Sequence, residues 1–107
     1  MSSVFNPEHS KKIDSLPPLR TVIDEHDLRA DKALGQNFLL DINITDKIIQ
    51  LCGDLENQTV IEIGPGPGGL TRSLLKTNLE YLHVIDYDPR AIQALQHLQD
   101  LWDQQRL

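Results

Sequence analysis

The first half of the chain carries apolar residues at helical spacing, separated by polar stretches. Leu19, Val22 and Ile23 fall on one face of such a pattern, so they predict a short helix between residues 16 and 26. Residues 1–15 are polar and mixed in charge, and this composition predicts a flexible N-terminal tail. The chain is therefore expected to begin with a mobile segment followed by helices.

A second helix is predicted to begin near residue 41, because Asp41 or Asn43 can cap its first turn. Gly53 can close this helix in the left-handed conformation. Its apolar residues share one face, which is expected to be the buried face, and they are Ile44, Ile48, Leu51 and Cys52. Cys52 is accordingly predicted to act as a small buried hydrophobic residue.

The second half changes to short runs of β-branched and apolar residues. Residues 59–63 predict a strand that runs directly into the glycine-rich loop 64–69. Helical spacing follows over residues 70–76, and residues 81–86 predict a second strand. A strand that ends in a glycine loop before a helix is typical of the turn that opens a nucleotide-binding fold.

The last predicted helix begins after Asp88, which supplies an N-cap, with Pro89 at its first position. Its apolar stripe consists of Ile92, Leu95, Leu98 and Trp102. The order of strand, glycine loop, helix, strand and helix is typical of the opening of a doubly wound parallel α/β sheet.

The carboxyl ends of the two predicted strands carry the residues best suited to bind a ligand. Ligands of such sheets bind outside these ends, where the glycine loop and Asp86 are expected to lie together. Glycines let the backbone approach a ligand closely, and an acid at the end of the second strand can accept hydrogen bonds from both hydroxyls of a ribose. The pattern therefore predicts a site for a nucleoside-containing ligand.

Two classes of cofactor fit this loop. Gly64, Gly66 and Gly69 satisfy the G-x-G-x-x-G pattern, so both an NAD-type dinucleotide and S-adenosylmethionine are considered. The two prolines of the loop lack the N–H groups that a pyrophosphate would use. Glu62 would repel a pyrophosphate but attract the ammonium of a methionine moiety. These details favour S-adenosylmethionine over a dinucleotide. A turn without any ligand is the less favoured interpretation, because a strand precedes the loop, a helix follows it and an acid ends the next strand.

Composition narrows the class of protein further. The 107 residues carry 10 Lys and Arg against 16 Asp and Glu, so a net charge of -6 argues against strong electrostatic binding of nucleic acid by this stretch alone. A single cysteine rules out an internal disulfide, and the four histidines show no metal-ligand spacing with it, so no metal site is expected. Neither a leader peptide nor an apolar run of roughly 20 residues occurs, which favours a cytoplasmic protein without a membrane partner.

Two blocks of sequence resemble the ribosomal RNA adenine dimethyltransferase family. The first is KALGQNFLLD at residues 32–41, and the second is VIEIGPGPGGLT at residues 60–71. The resemblance covers residues 16 to about 100, and the opening at residues 16–20 is most similar to the bacterial small-subunit members of the family. The two blocks in this order are far more specific than either alone.

The resemblance implies transfer of methyl groups from S-adenosyl-L-methionine to N6 of two adjacent adenines near the 3′ end of small-subunit rRNA. By position, Asn37, the backbone of Leu39, Gly64 and Gly66 would contact the cofactor. Asp86 would hold the ribose hydroxyls. The family usually has Glu at this last position, which is one methylene longer, so a bridging water or a small shift of the ligand is expected here.

Parts of the family pattern are missing from the chain. The Asn/Asp-Leu/Ile-Pro-Tyr/Phe motif, which in this family holds the target adenine, does not occur, so no catalytic residue is assigned. Two strands are also too few for a stable parallel sheet. Residues 16–107 are therefore expected to be the N-terminal part, incomplete and inactive alone, of a Rossmann-like class I S-adenosylmethionine-dependent methyltransferase domain.

The expected partner, through a longer protein, is small-subunit rRNA in the immature 30S subunit, and the expected state is a monomer. The alternative hypotheses are a fragment without catalytic activity that binds a nucleotide or takes part in ribosome assembly, and an NAD-type dinucleotide-binding domain.

Overall fold

The computed structural model describes residues 4–26 and 41–101. In chain order the elements are α1 (Pro7–Asp14), α2 (Leu19–His26), α3 (Ile42–Leu51), β1 (Thr59–Ile63), α4 (Gly69–Leu75), β2 (Tyr81–Ile85) and α5 (Pro89–Leu101). Three helices are thus followed by strand, helix, strand and helix, which confirms the predicted α/β fold class. None of the described helices is both long and apolar enough to cross a membrane.

The two strands form a parallel sheet in which α4 makes the connection between them. Thr59 pairs with Tyr81, and the register continues without interruption until Ile63 pairs with Ile85. Both strands therefore end at the same edge of the sheet, and the loop that follows each strand lies at that edge.

The sheet is packed on one face and open on the other. Leu82 of β2 is fully buried against the helices. On the opposite face Ile61 and Ile63 of β1 are 61% and 79% exposed, and Ile85 of β2 is 56% exposed. Parallel sheets are normally covered on both faces. The described residues therefore cover this sheet on one face only.

The hydrophobic core lies on the covered face and joins β2 to α1, α3, α4 and α5. A second, smaller cluster joins α2 to α5. The first cluster contains Ile13, Ile49, Leu74, Leu75, Leu79, Leu82, Leu95 and Leu98, and the second contains Val22, Ile23, Ala91 and Ala94. The predicted buried face of α2 is confirmed by this packing.

The N-terminal segment differs from the predicted flexible tail of residues 1–15, because α1 forms within it and packs on the core. Asn6 caps this helix, since its side chain accepts hydrogen bonds from two backbone N–H groups of the first turn. The Asn6 backbone N–H donates to the Lys76 carbonyl at 2.7 Å, and Ile13 is only 2% exposed. One buried residue in a polar helix leaves no periodic pattern in the sequence, which is why composition failed to reveal α1.

The ends of α3 agree with the sequence prediction. Asp41 is the N-cap, and its Oδ1 accepts a hydrogen bond from the Asn43 backbone N–H at 2.9 Å. Gly53 follows the helix with a φ of +81°, the left-handed conformation that closes a helix.

The buried face of α3 differs from the prediction. Thr45 and Ile49 are buried, whereas Leu51 is 83% exposed and Cys52 is exposed. The reason is a polar contact between helices, because the Thr45 hydroxyl lies 2.8 Å from the Ser73 hydroxyl of α4. This contact turns the helix so that the apolar stripe lies partly in solvent, and the prediction that Cys52 is buried is wrong.

Candidate functional site

The carboxyl edge of the sheet brings the glycine loop and Asp86 together. The Gly64 N–H donates to the Ile85 carbonyl at 2.8 Å and extends the β-ladder by one residue. The Gly66 N–H then donates to Asp86 Oδ2 at 3.4 Å. Residues 20 positions apart in the chain are thus adjacent in space. The loop after β1 and the acid after β2 form one surface.

Two of the loop glycines leave open space beside the backbone. Gly64 and Gly66 have φ values of +69° and +56°, a region that L-residues with a side chain rarely adopt. A Cβ atom at either position would meet no heavy atom within 4 Å. Backbone conformation therefore requires glycine here, and the space that the missing side chains leave is accessible to a ligand.

A third glycine, Gly68, has a packing role. Its φ is +101°, and a Cβ atom there would lie 2.9 Å from Leu95 Cδ2 of α5. The sequence motif used Gly69 as its third glycine, but Gly69 is the first residue of α4. Gly68 and Gly69 are adjacent in the sequence, so the sequence does not show which of them is tightly packed. The contact with Leu95 of α5 identifies Gly68.

Asp86 is half-buried, and its carboxylate already accepts two backbone hydrogen bonds. Oδ1 accepts from the Asp88 N–H at 2.9 Å, and Oδ2 accepts from the Gly66 N–H at 3.4 Å. An ionised carboxylate has about four acceptor positions. Asp86 therefore keeps the capacity to accept two more hydrogen bonds from a ligand while the backbone holds its orientation.

Both carboxylate oxygens of Asp88 contact Arg90 at the start of α5. Its Oδ1 accepts the Arg90 backbone N–H at 2.9 Å, and its Oδ2 lies 2.8 Å from Arg90 Nη2. Hydrogen bonds from the Arg90 side chain and backbone lower the pKa of the Asp88 carboxyl. The prediction that Asp88 caps the last helix is confirmed.

Tyr87 lies between these two acids and is 100% exposed. A fully exposed aromatic ring next to a carboxylate offers a flat apolar surface on which a nucleobase can stack. Tyr87 was not among the predicted site residues. Its position directly after Asp86 is the sequence signal that could have identified it.

Glu62 lies on the covered face of the sheet rather than in solvent. It is 8% exposed, and the Thr71 hydroxyl donates to its Oε1 at 2.5 Å. Burial raises the pKa of the Glu62 carboxyl, and the hydrogen bond from Thr71 opposes part of this effect. A nearby cation would stabilise the ionised form of this carboxylate.

Two residues of the predicted site, Asn37 and Leu39, lie outside the described residues. Within residues 4–26 and 41–101, no three His, Cys, Asp or Glu side chains are grouped so that they could hold a metal ion.

Comparison with known proteins gives one family. The sequence profile described as Ribosomal RNA adenine dimethylase matches residues 27–106. Ribosomal RNA small subunit methyltransferase A of Bradyrhizobium sp. (strain ORS 278) is 58% identical over 88 residues, which cover 82% of this chain and 31% of the relative. The protein of the same name from Allorhizobium ampelinum is 56% identical over 88 residues, which cover 82% and 32%. The chain thus spans just under a third of the length of these curated relatives.

Proposed function

The chain belongs to the ribosomal RNA adenine dimethylase family, and we propose that it is the S-adenosylmethionine-binding N-terminal portion of a small-subunit rRNA methyltransferase. The reaction that the whole enzyme performs is the dimethylation of N6 of two adjacent adenines near the 3′ end of that RNA. The substrate is the immature 30S subunit in the cytoplasm, and the enzyme acts as a monomer. The portion present here binds the cofactor and is inactive alone.

The contact between Gly66 and Asp86 carries this proposal, because it joins an open glycine loop to an acid with spare acceptor positions. Asp86 would accept hydrogen bonds from the ribose hydroxyls, and Tyr87 would stack against the adenine. The backbone at Gly64 and Gly66 would lie against the cofactor. S-adenosylmethionine supplies the activated methyl group.

Three further residues complete the proposed cofactor site. Glu62 would face the ammonium of the methionine moiety. The family resemblance adds Asn37 and the backbone of Leu39 as further contacts to the cofactor.

The hydrogen bonds of the loop favour S-adenosylmethionine over a dinucleotide. The N–H groups of Gly64, Gly66 and Gly68 are already donated to Ile85, Asp86 and Pro65 respectively. The two prolines of the loop have no N–H group. A pyrophosphate would therefore find few backbone donors, whereas the positive charge of S-adenosylmethionine needs none.

The open face of the sheet supports a role within a longer polypeptide. A groove of about 570 Å³ runs beside β2 and α5, with Ile85, Ile92 and Leu95 among its lining residues. Together with the exposed Ile61 and Ile63, it leaves an apolar surface that the additional length of the relatives would cover.

Calorimetry tests the cofactor directly. Titration of the protein with S-adenosylmethionine is expected to give a saturable signal, and titration with NAD is expected to give none. Binding of NAD alone would overturn the cofactor assignment.

A second function, binding without catalysis, is favoured by the absence of the family's catalytic motif from these 107 residues. Incubation of immature 30S subunits with radiolabelled S-adenosylmethionine tests the inactivity of the chain that both functions imply. The chain alone is expected to transfer no label, while one of the full-length relatives serves as the positive control. Transfer of label by the chain alone would show that the inactivity proposed here is wrong.

A further inference from the structure

Arg72 of α4 is a buried cation for which the described part of the chain shows no ion pair. Arg72 is 6% exposed, and its Nε and Nη2 atoms are buried with no hydrogen-bond partner. Burial lowers the pKa of the guanidinium, yet arginine remains protonated at neutral pH. Unpaired buried donors on a charged group are costly, so the site would gain stability from an anion.

Arg72 also lines a cavity of about 290 Å³ between the first four helices. The remaining lining is mostly apolar and comes from the end of α1, the start of α2 and the start of α3. These residues are Ile13, Asp14, Leu16, Pro18, Leu19 and Ile42. Apolar walls exclude water and strengthen the attraction between the guanidinium and an anion.

The one acid in this lining is already paired. Asp14 lies 3.1 Å from Lys76 Nζ and is 63% exposed at its side chain. Helices α2 and α3 present their positive N-terminal ends to the cavity, and neither has an acid in its first turn. Helix α1 presents one negative end. Lys76 also pairs with Asp46, and the N-cap of α3 is Asp41, so acids and cations in this neighbourhood offset one another. The observation that points to an anion is the pair of unpartnered donors on Arg72.

We propose that this cavity is an anion site in which Arg72 binds a phosphate group. Nε and Nη2 form one edge of the guanidinium, and two parallel donors of this kind match two oxygens of a phosphate. The phosphate can be free inorganic phosphate or a phosphodiester of an RNA. The second source rests on the proposed function, and the first does not.

Thermal unfolding of the full chain tests the proposal. The wild type, Arg72→Met and Arg20→Met are compared in sodium phosphate, in sodium chloride at equal ionic strength, and in chloride with a short single-stranded RNA. Arg20 is exposed and outside the lining of the cavity, so it is the matched control. At about ten times the Kd, phosphate should raise the Tm of the wild type and of Arg20→Met by roughly 5 to 10 °C.

Arg72→Met should show less than about a quarter of that rise, while its Tm in chloride should equal or exceed that of the wild type because a buried unpaired charge is gone. A rise with RNA but not with phosphate assigns the site to an RNA phosphodiester. If Arg72→Met responds as strongly as the wild type, or if neither anion stabilises the wild type, the proposal is wrong. Parallel titration with S-adenosylmethionine separates this result from the proposed function, because either response can be lost without the other.

Discussion

Two polar regions of this protein use their hydrogen-bonding groups in opposite ways. Between α3 and α4, Asp46 accepts from both Lys76 Nζ at 2.9 Å and the Ser73 hydroxyl at 2.5 Å. At the carboxyl ends of the strands, Asp86 accepts two backbone N–H groups and keeps further acceptor positions beside the open space at Gly66. The first region satisfies its groups internally, and the second has capacity left for a ligand.

This difference shows that polarity alone does not identify a binding site. Both regions contain an aspartate held by main-chain or side-chain donors, but only Asp86 adjoins glycines with space around them. Arg72 is a third case. It is buried, as the first region is, but its Nε and Nη2 donors have no hydrogen-bond partner. Unused hydrogen-bonding capacity, rather than charge, points to a ligand.

The largest expected effect is on stability, from Asp46→Ala. Lys76 has a side chain only 5% exposed and, among the described residues, would keep Asp14 as its single carboxylate partner. We expect the free energy of unfolding to fall by about 3 kcal/mol, because a nearly buried ammonium loses a hydrogen-bonded carboxylate. Urea denaturation measures this loss. The affinity for S-adenosylmethionine should not change, and a tenfold loss of affinity would break the distinction between the two regions.

Asp86→Ala should have the opposite profile. Two hydrogen bonds from the ribose to a charged acceptor disappear, so the affinity for S-adenosylmethionine is expected to fall by about 2 kcal/mol, or roughly 30-fold. Calorimetry measures the change. Asp86→Glu is the matched control and should bind at least as well as the wild type, since it restores the residue usual in the family. Equal affinity in Asp86→Ala and the wild type would refute the ribose contact.

Within the glycine loop, Gly68 and Gly66 allow the same comparison between a residue that stabilises the fold and a residue that would contact the ligand. Gly68→Ala forces a Cβ atom to 2.9 Å from the buried Leu95, whereas Gly66→Ala meets only open space, although both carry a positive φ. Gly68→Ala should therefore lower the free energy of unfolding by about 1 kcal/mol more than Gly66→Ala does. Gly66→Ala should weaken cofactor binding more than Gly68→Ala. Identical losses of stability would contradict the packing role of Gly68.

The smallest effect concerns Glu62 and pH. Because burial raises the pKa of the folded carboxyl above its ordinary value, the folded protein holds a proton in a pH window where the unfolded chain has released it. The free energy of unfolding should therefore fall as pH rises through this window. Glu62→Gln keeps an acceptor for Thr71 and should remove this dependence. Urea denaturation between pH 4 and pH 8 would show the same slope for both proteins if the inference were incorrect.

The order of elements was accessible from the sequence because each depends on local signals. A β-branched run before a glycine loop predicts β1, and Asp88 before Pro89 predicts the start of α5; both are confirmed. The buried face of α3 was not accessible, because Thr45 is buried by its contact with Ser73 and not by its own hydrophobicity. Helix α1 escaped notice because only Ile13 in it is buried.

The candidate site divides in the same way. The juxtaposition of the loop with Asp86 follows from the rule that parallel strands end at one edge, and the structure brings them together. The packing role of Gly68 and the full exposure of Tyr87 required the tertiary structure. Which glycine is tightly packed depends on where α5 crosses the loop, and exposure depends on what covers a residue.

By itself, then, the sequence determined the fold class and the family, and it predicted the place where a cofactor would bind. These depend on periodicity, on glycine conformations and on residue order, all of which are local properties of the chain. Only the tertiary structure decided which polar groups are satisfied by other parts of the protein and which are not. The tertiary structure shows that the Asp46 carboxylate is used internally, that Asp86 keeps acceptor positions free, and that two donors of Arg72 have no partner. The sequence could not show this, because hydrogen bonds between distant elements leave no trace in a local pattern.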